Sequence, residues 1–377
     1  MESATGGPLT LADVSTSAAA ALGVAGFQDR LGLGSARRVV VCLIDGLGWQ
    51  SLREHLPDAP HLASIAGGSI DAPFPSTTPV GLASLGTGLL AGEHGLVGAS
   101  FEYPETGEIL APLQWGRHPT PMAVQPEPTV FERVAAAGVR VTSLSPAAYA
   151  HSGLTRAVLR GSEYRGVEDA PERLALLREL HAQPGPGYTY VYWPELDRIG
   201  HEFGVASPDW RAALRRADDL VGGLLRGLVP GDLLVVTADH GMVDCPTDRR
   251  ILLEDQPGLQ AGVRRWAGEP RVRHVYVEGG ASADVLDAWR EVLADRAHVM
   301  ARDDVIERGL LGPVDPLLAD RIGDIVVVAR EDWMLASRVD ATVSSLIGQH
   351  GGLTPDEILV PALVARGEDV RMGPWRS

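Results

Sequence analysis

The chain predicts an α/β fold, with a mostly parallel central sheet, helices on both faces and a small α+β insertion forming a lid. Three observations predict it. Short apolar runs of strand length alternate with longer stretches of helical period, and the runs are rich in β-branched residues, as in strands covered on both faces. Several of the runs end in an acidic residue, at the sheet edge where open parallel sheets bind ligands.

The strand candidates are "RRVVVCLID" (37–45), "GVRVTSLS" (138–145), "YTYVYWPELD" (188–197), "DLLVVTAD" (232–239), "RHVYVEG" (273–279) and "GDIVVVARED" (323–332). Between them, "TVFERVAAAG" ends in a glycine cap, and "PERLALLRELHAQ" and "PDWRAALRRADDLVGGLLRGL" carry helical periodicity. Residues 246–322 open with turn-rich "CPTDRR" and "EDQPG", continue into a strand and helix of their own, and read as the lid. A second, Pro-rich insert at 101–128 is expected to lie over the same site, because long irregular inserts in compact domains are often functional. The whole chain, 1–377, reads as a single catalytic domain with these two insertions.

Composition narrows the function. With 377 residues, 45% hydrophobic and 22% charged, the chain can bury a large core. Its net charge of −16 argues against binding a nucleic-acid polymer, whose phosphates need a basic surface. The sequence contains no lysine and no asparagine. That excludes P-loop, Schiff-base and lysine-base chemistry, and also N-glycosylation. No apolar run approaches the roughly 18 residues needed to span a bilayer, and the Ala-rich N-terminal stretch lacks the basic start of a secretory signal. A cytoplasmic protein with no membrane partner is the expectation. Two cysteines, Cys42 and Cys245, cannot make a disulfide framework, and Cys42 lies within a strand pattern as a buried thiol.

Three strand ends carry carboxylates: Asp45 in "LIDGLG", Asp197 in "WPELDRIGHEFG" and Asp239 in "TADHGM". Taken singly, an Asp before Gly is a turn former and a lone His is a loop or surface residue. Together they form a set. Asp197 and His201 are four apart, on one face of a helical turn, while His240 adjoins Asp239 and His350 sits in "IGQHGGLTP". Three carboxylates and three imidazoles suit two divalent cations, and the histidine content favours zinc, then manganese, over calcium.

A hydroxyl completes the set. In "DAPFPSTTPVGLASLGTG" (71–88), Thr78 followed by Pro79 reads as an N-cap and a first-turn proline, at the positive end of a helix dipole. A capping threonine is the plain interpretation; beside two cations the same hydroxyl becomes a nucleophile. Other chemistries fit less well. Ser84 in "GLASLG" lacks the spacing of a serine-hydrolase elbow, and "DGLGWQS" supplies only Gly46 and Gly48 of a dinucleotide fingerprint.

The blocks "LIDGLG", "FPSTTPVGLASLGTGLLAGEHGLVG", "ELDRIGHEFG", "TADHGM" and "GQHGG" resemble, in order, those of the alkaline phosphatase superfamily, and within it the type I phosphodiesterase/nucleotide pyrophosphatase branch. The resemblance spans residues 40–352. It implies one metal held by Asp197, His201 and His350 and a second by Asp45, Asp239 and His240, with Thr78, rather than Thr77, as nucleophile. It further implies two-metal phosphoryl transfer through a phosphothreonine on a small phosphate ester, a nucleotide among the candidates. Members of this branch carry an asparagine where this chain has Ala99, which leaves diester against monoester preference open. Phosphomonoesterase and phosphonate hydrolase are the alternatives on the same fold, and a non-catalytic metal-binding protein is the alternative outside catalysis. Aromatic residues Phe101, Tyr103, Trp115, Tyr149 and Trp193 are candidates to stack a base, and Arg117 and Arg198 to meet a phosphate.

Overall fold

The computed structural model describes residues 7–369; residues 1–6 of the N-terminal stretch lie outside the described residues. Among the described residues, eleven strands make up the two larger sheets. They are β1 Arg38–Ile44, β2 Ala66–Asp71, β3 Arg140–Ser145, β4 Glu163–Gly166, β5 Gly187–Trp193, β6 Asp232–Thr237, β7 Val263–Glu269, β8 Val272–Val277, β9 Ala297–Ala301, β10 Ile325–Ala329 and β11 Leu359–Arg366. The helices that matter for the site and its support are α1 Ala12–Ala21, α2 Thr78–Thr87, α3 Val130–Ala136, α4 Gly153–Val158, α5 Ala170–Ala182, α6 Glu195–Phe203, α7 Pro208–Gly227 and α8 Ser282–Leu293.

The central sheet has the order β2-β11-β6-β1-β5-β3-β4. β1 pairs in parallel with both β5 and β6, and β3 in parallel with β4 and β5, whereas β11 is antiparallel to its neighbours β6 and β2. Every residue of β1, β5 and β6 is buried, which is why their sequences read as unbroken apolar runs instead of alternating. The register sets the site: Ile44 of β1 pairs with Trp193 of β5 and Leu43 with Thr237 of β6, so three strand ends come level.

One strand assignment changes. Residues 323–332 supply β10 of a second, four-stranded antiparallel sheet, β7-β8-β10-β9, not a strand of the central one, and residues 273–279, within the insert at 246–322, supply β8 of the same sheet. Val326 and Val328 of β10 pack into the main core, while Ile325, Val327 and Ala329 pack under α8 with Trp289 and Leu293. Burial on both faces gives β10 the apolar continuity of a central parallel strand, which sequence pattern alone cannot distinguish. Three central strands were not legible. β2 is glycine-rich, β4 is a short edge strand, and β11 contains Pro361. Pro361 is tolerated because its ladder runs only to Ser69 of β2, pairing with β6 beginning at Leu363. Of the insert at 101–128, the strands Phe101–Tyr103 and Glu108–Leu110 form a two-stranded hairpin. No helix among the described residues is long and apolar enough to cross a membrane. Cys42 and Cys245 are free and buried.

Candidate active site

Each of the residues singled out at the strand ends reaches one place. Asp45 follows β1, and Gly46 after it has φ +73°. A Cβ on Gly46 would lie 2.9 Å from the Asp197 backbone, so this turn brings two carboxylates together because it has no side chain. Asp197 and His201 lie on α6, with Asp197 Oδ1 3.4 Å from His201 Nε2. Asp239 and His240 follow β6, and α2 packs onto them so closely that a Cβ on Gly81 would stand 2.6 Å from Asp239 Cβ. His350 arrives from the far end of the chain on a loop latched to the segment before α2. Ser76 N–H donates to Gly351 O at 3.2 Å and Ser76 Oγ to Gly352 O at 2.9 Å.

The imidazoles are oriented by backbone carbonyls. His201 Nδ1 lies 2.7 Å from Gly348 O, His240 Nδ1 2.9 Å from Gly241 O, and His350 Nδ1 3.0 Å from Ser76 O. A carbonyl only accepts, so each Nδ1 carries the proton and each Nε2 turns a lone pair inward. His240 Nε2 is 3.4 Å from Asp45 Oδ1 and 3.7 Å from Asp239 Oδ2, and His350 Nε2 is 3.9 Å from Asp197 Oδ1. The His240 and His350 rings stack with centroids 3.6 Å apart.

Thr78 sits at the first turn of α2, 7% exposed, with Oγ1 3.1 Å from His240 Nε2. The helix begins one residue earlier than Thr78-as-cap requires. Thr77, in extended backbone, is the N-cap residue and Thr78 is the first helical residue. Thr77 Oγ1 turns away and donates to Glu269 Oε2 at 3.2 Å.

The cluster is electrostatically overloaded. Burial pushes the Asp45 carboxyl well above the usual range, and the charges of Asp239 and Asp197 push it further, while the Tyr192 hydroxyl, which donates to Asp45 Oδ2, pulls it back. Burial likewise raises Asp239, opposed by His240. His350 is held well below the usual histidine range by burial and by its neighbours His240 and His201. Asp45 Oδ1, Asp197 Oδ1 and Asp239 Oδ2 are buried without any hydrogen-bond donor. Three acceptor oxygens without donors, beside three inward lone pairs, are what cations would satisfy.

Among the described residues, two groups could each hold a metal ion: Asp197, His201 and His350, and Asp45, Asp197 and His240. The first is the set expected. In the second, Asp197 stands where Asp239 was expected, so Asp197 adjoins both groups, and Asp239 Oδ2 approaches from the side.

A cavity of about 860 Å³ opens from Asp45, Thr78 and Asp197. Tyr149, Trp193 and Arg198 line it, as do Pro112 and Leu113 of the insert. Phe101, Tyr103, Trp115 and Arg117 do not; Trp115 instead packs on Gly153 and donates to Pro119 O at 2.8 Å. His94 lies under α2, its Nε2 3.1 Å from Ser84 Oγ. Sequence reasoning missed Tyr192, Glu269 and Arg173. Tyr192 was findable, since it occupies the end of β5 that faces Asp45. Glu269 was not, because it comes from the second sheet.

A family model described as type I phosphodiesterase / nucleotide pyrophosphatase matches residues 39–353. An uncharacterized pyrophosphatase/phosphodiesterase of Schizosaccharomyces pombe is 24% identical over 366 residues, covering 88% of this chain and 72% of that protein. A phosphopentomutase of Agrobacterium fabrum is 26% identical over 201 residues, covering 49% of this chain. The match spans 48% of that relative's length. The structure of an inactive variant of murine ectonucleotide pyrophosphatase / phosphodiesterase 5 in complex with AMP superposes with a TM-score of 0.70 at 21% identity, over 88% of each chain. That likeness shows a shared fold. With five ordered sequence blocks inside the matched span, this chain belongs to the type I phosphodiesterase / nucleotide pyrophosphatase family.

Proposed function

We propose that the protein is a phosphoric ester hydrolase of the phosphodiesterase/nucleotide pyrophosphatase type, with Thr78 as nucleophile and two divalent cations, zinc before manganese. The carrying observation is the position of Thr78 Oγ1, 3.1 Å from His240 Nε2, among three donorless carboxylate oxygens and on the wall of the cavity. We assign Asp197, His201 and His350 to one cation and Asp45, Asp239 and His240 to the other. The mixed oxygen and imidazole donor set fits such ions.

The cations, when bound, neutralise the phosphoryl oxygens and make an adjacent hydroxyl easier to deprotonate. The protein supplies the rest. Thr78 Oγ forms the new bond to phosphorus as the bond to the leaving oxygen breaks, and the cavity receives the leaving group. Water then cleaves the phosphothreonine and restores the hydroxyl. The N-terminal turn of α2 holds the nucleophile where its dipole favours an anion. Tyr192 and the carbonyls behind His201, His240 and His350 hold the acceptors in place.

The substrate class is a small phosphate ester, and the AMP bound by the murine neighbour supports a nucleotide among the candidates. The inserts at 101–128 and 246–322 act as the lid, the first through Pro112 and Leu113, the second through Glu269 against Thr77 and His350. Ala99 offers no side-chain donor to a phosphoryl oxygen, which keeps phosphomonoester and phosphonate substrates as the second reading.

The test is release of p-nitrophenol from the bis-p-nitrophenyl diester and from the monoester by zinc-loaded protein. Thr78→Ala should abolish turnover and leave metal content, by elemental analysis, unchanged. Inactivity of the wild type on both esters would favour the non-catalytic metal-binding reading.

A further inference from the structure

Several unsatisfied polar atoms belong to residues that line the cavity beyond the acidic cluster. Arg173 Nε, Trp193 Nε1 and Tyr190 Oη are buried without a partner, and all three residues line the cavity. Apart from the acceptors of Asp45 and Asp197, this wall is therefore short of acceptors, not donors.

Arg173 is the most unusual of the three. It is 1% exposed, in the first turn of α5, with its guanidinium 5.0 Å from the Trp193 ring. Other buried arginines are neutralised: Arg38 by Asp232 at 2.8 Å, Arg271 by Glu357 at 2.8 Å and Arg273 by Asp340. Arg321 spends its Nη1 on the carbonyls of Gly95 and Val124, at 2.8 Å each, away from the cavity. Arg173 donates to the carbonyls of Glu168 at 2.8 Å and Val167 at 3.0 Å, and no carboxylate lies within ion-pair distance among the described residues.

The acids that share the cavity wall are otherwise engaged. Glu168 Oε1 accepts from Ala147 N–H at 2.9 Å, Asp169 Oδ1 accepts from Glu172 N–H at 2.8 Å, and Glu195 pairs with Arg216 at 2.9 Å. A buried cation costs free energy unless it is paired, and a helix N-terminus is the less favourable end for a positive charge. Holding the turn at 167–168 accounts for the two Nη groups. It does not account for Nε or for the indole beside it. An anion at this position would give a partner to the guanidinium Nε and to the indole N–H.

We propose that Arg173 and Trp193 form an anion-reading subsite of the cavity, which takes a carboxylate or a second phosphoryl group carried by the leaving group of the substrate. The subsite adjoins the acidic cluster through the main chain, because Asp45 N–H donates to Trp193 O at 3.0 Å. It rests on the phosphoric ester hydrolase reading only in taking this cavity as the leaving-group site. Arg173 is then a specificity residue, not a group acting on phosphorus.

The experiment compares equilibrium binding of ω-carboxyalkylphosphonates of increasing chain length with alkylphosphonates of equal length, on the zinc-loaded full chain. At the chain length that spans the two ends, the carboxylated probe should bind at least about tenfold tighter, as a hydrogen-bonded charge pair provides. Arg173→Met should remove that ratio and Arg173→Lys should retain part of it. The Trp193 indole N–H resonance, identified through Trp193→Phe, should move with the carboxylated probe. A resonance that stays in place, or a ratio that survives in Arg173→Met, overturns the proposal. Hydrolysis of bis-p-nitrophenyl phosphate is scored separately, so loss of turnover with a moving Trp193 resonance would remove only the hydrolase reading.

Discussion

Thr78 Oγ1 lies 3.1 Å from His240 Nε2, whereas its neighbour Thr77 turns its hydroxyl the other way, onto Glu269. Two adjacent threonines thus serve opposite sides of one helix start. Thr78→Val should lower kcat on an aryl phosphodiester by about 10³-fold or more, the scale of losing a nucleophile. Thr77→Val should keep most of the turnover. Steady-state kinetics on both variants checks this, and the reverse pattern would move the nucleophile to Thr77.

Asp197 adjoins both groups of residues that could hold a metal. Asp197→Asn should therefore lower the metal content of the purified protein more than Asp239→Asn does, since Asp239 approaches one group only. Elemental analysis after dialysis against a weak chelator gives the comparison directly.

Removing metal should expose the strain that the buried carboxylates carry. The raised Asp45 carboxyl destabilises the folded chain as pH rises through its folded pKa, because the unfolded state ionises it freely. Asp45→Asn should raise the Tm of the chelated protein at neutral pH and lower the metal-loaded Tm. Calorimetry with and without chelator reads both signs.

Two buried imidazoles outside the proposed ligand set weaken the fold in acid. Burial lowers His94 from 6.5 to about 3 and His274 from 6.5 to about 4. Their folded pKa values are depressed, so the stability they contribute is complete above 6.5 and is lost as pH falls towards 4 and 3. The urea midpoint should drop between pH 7 and pH 5, and His94→Gln combined with His274→Gln should flatten that dependence.

The part of the fold that positions chemistry was legible, and for a physical reason. Asp45, Asp197 and Asp239 follow strands whose complete burial leaves an unmistakable apolar run, and the acid marks where the run meets the crevice. Less legible was whatever depended on a second element. β10 imitates a central strand because two cores cover it, and Pro361 conceals β11. Thr78 was assigned the N-cap position that Thr77 occupies, since adjacent threonines before a proline carry the same local signal. Asp197 adjoining both ligand groups could not be read, because it follows from the Gly46 turn pressing α6 against β1. Arg173 looked like any surface arginine on a helix, and only the burial of its own side chain separates it from the rest.

The contact between His350 and the Ser76 carbonyl joins residues 274 positions apart. A ribosome must therefore release the 274 positions between them before the first of those residues can meet the last. Until then, Asp197 and His201 lack the third side chain of their group, and a translation product halted short of position 350 would fold without a complete centre.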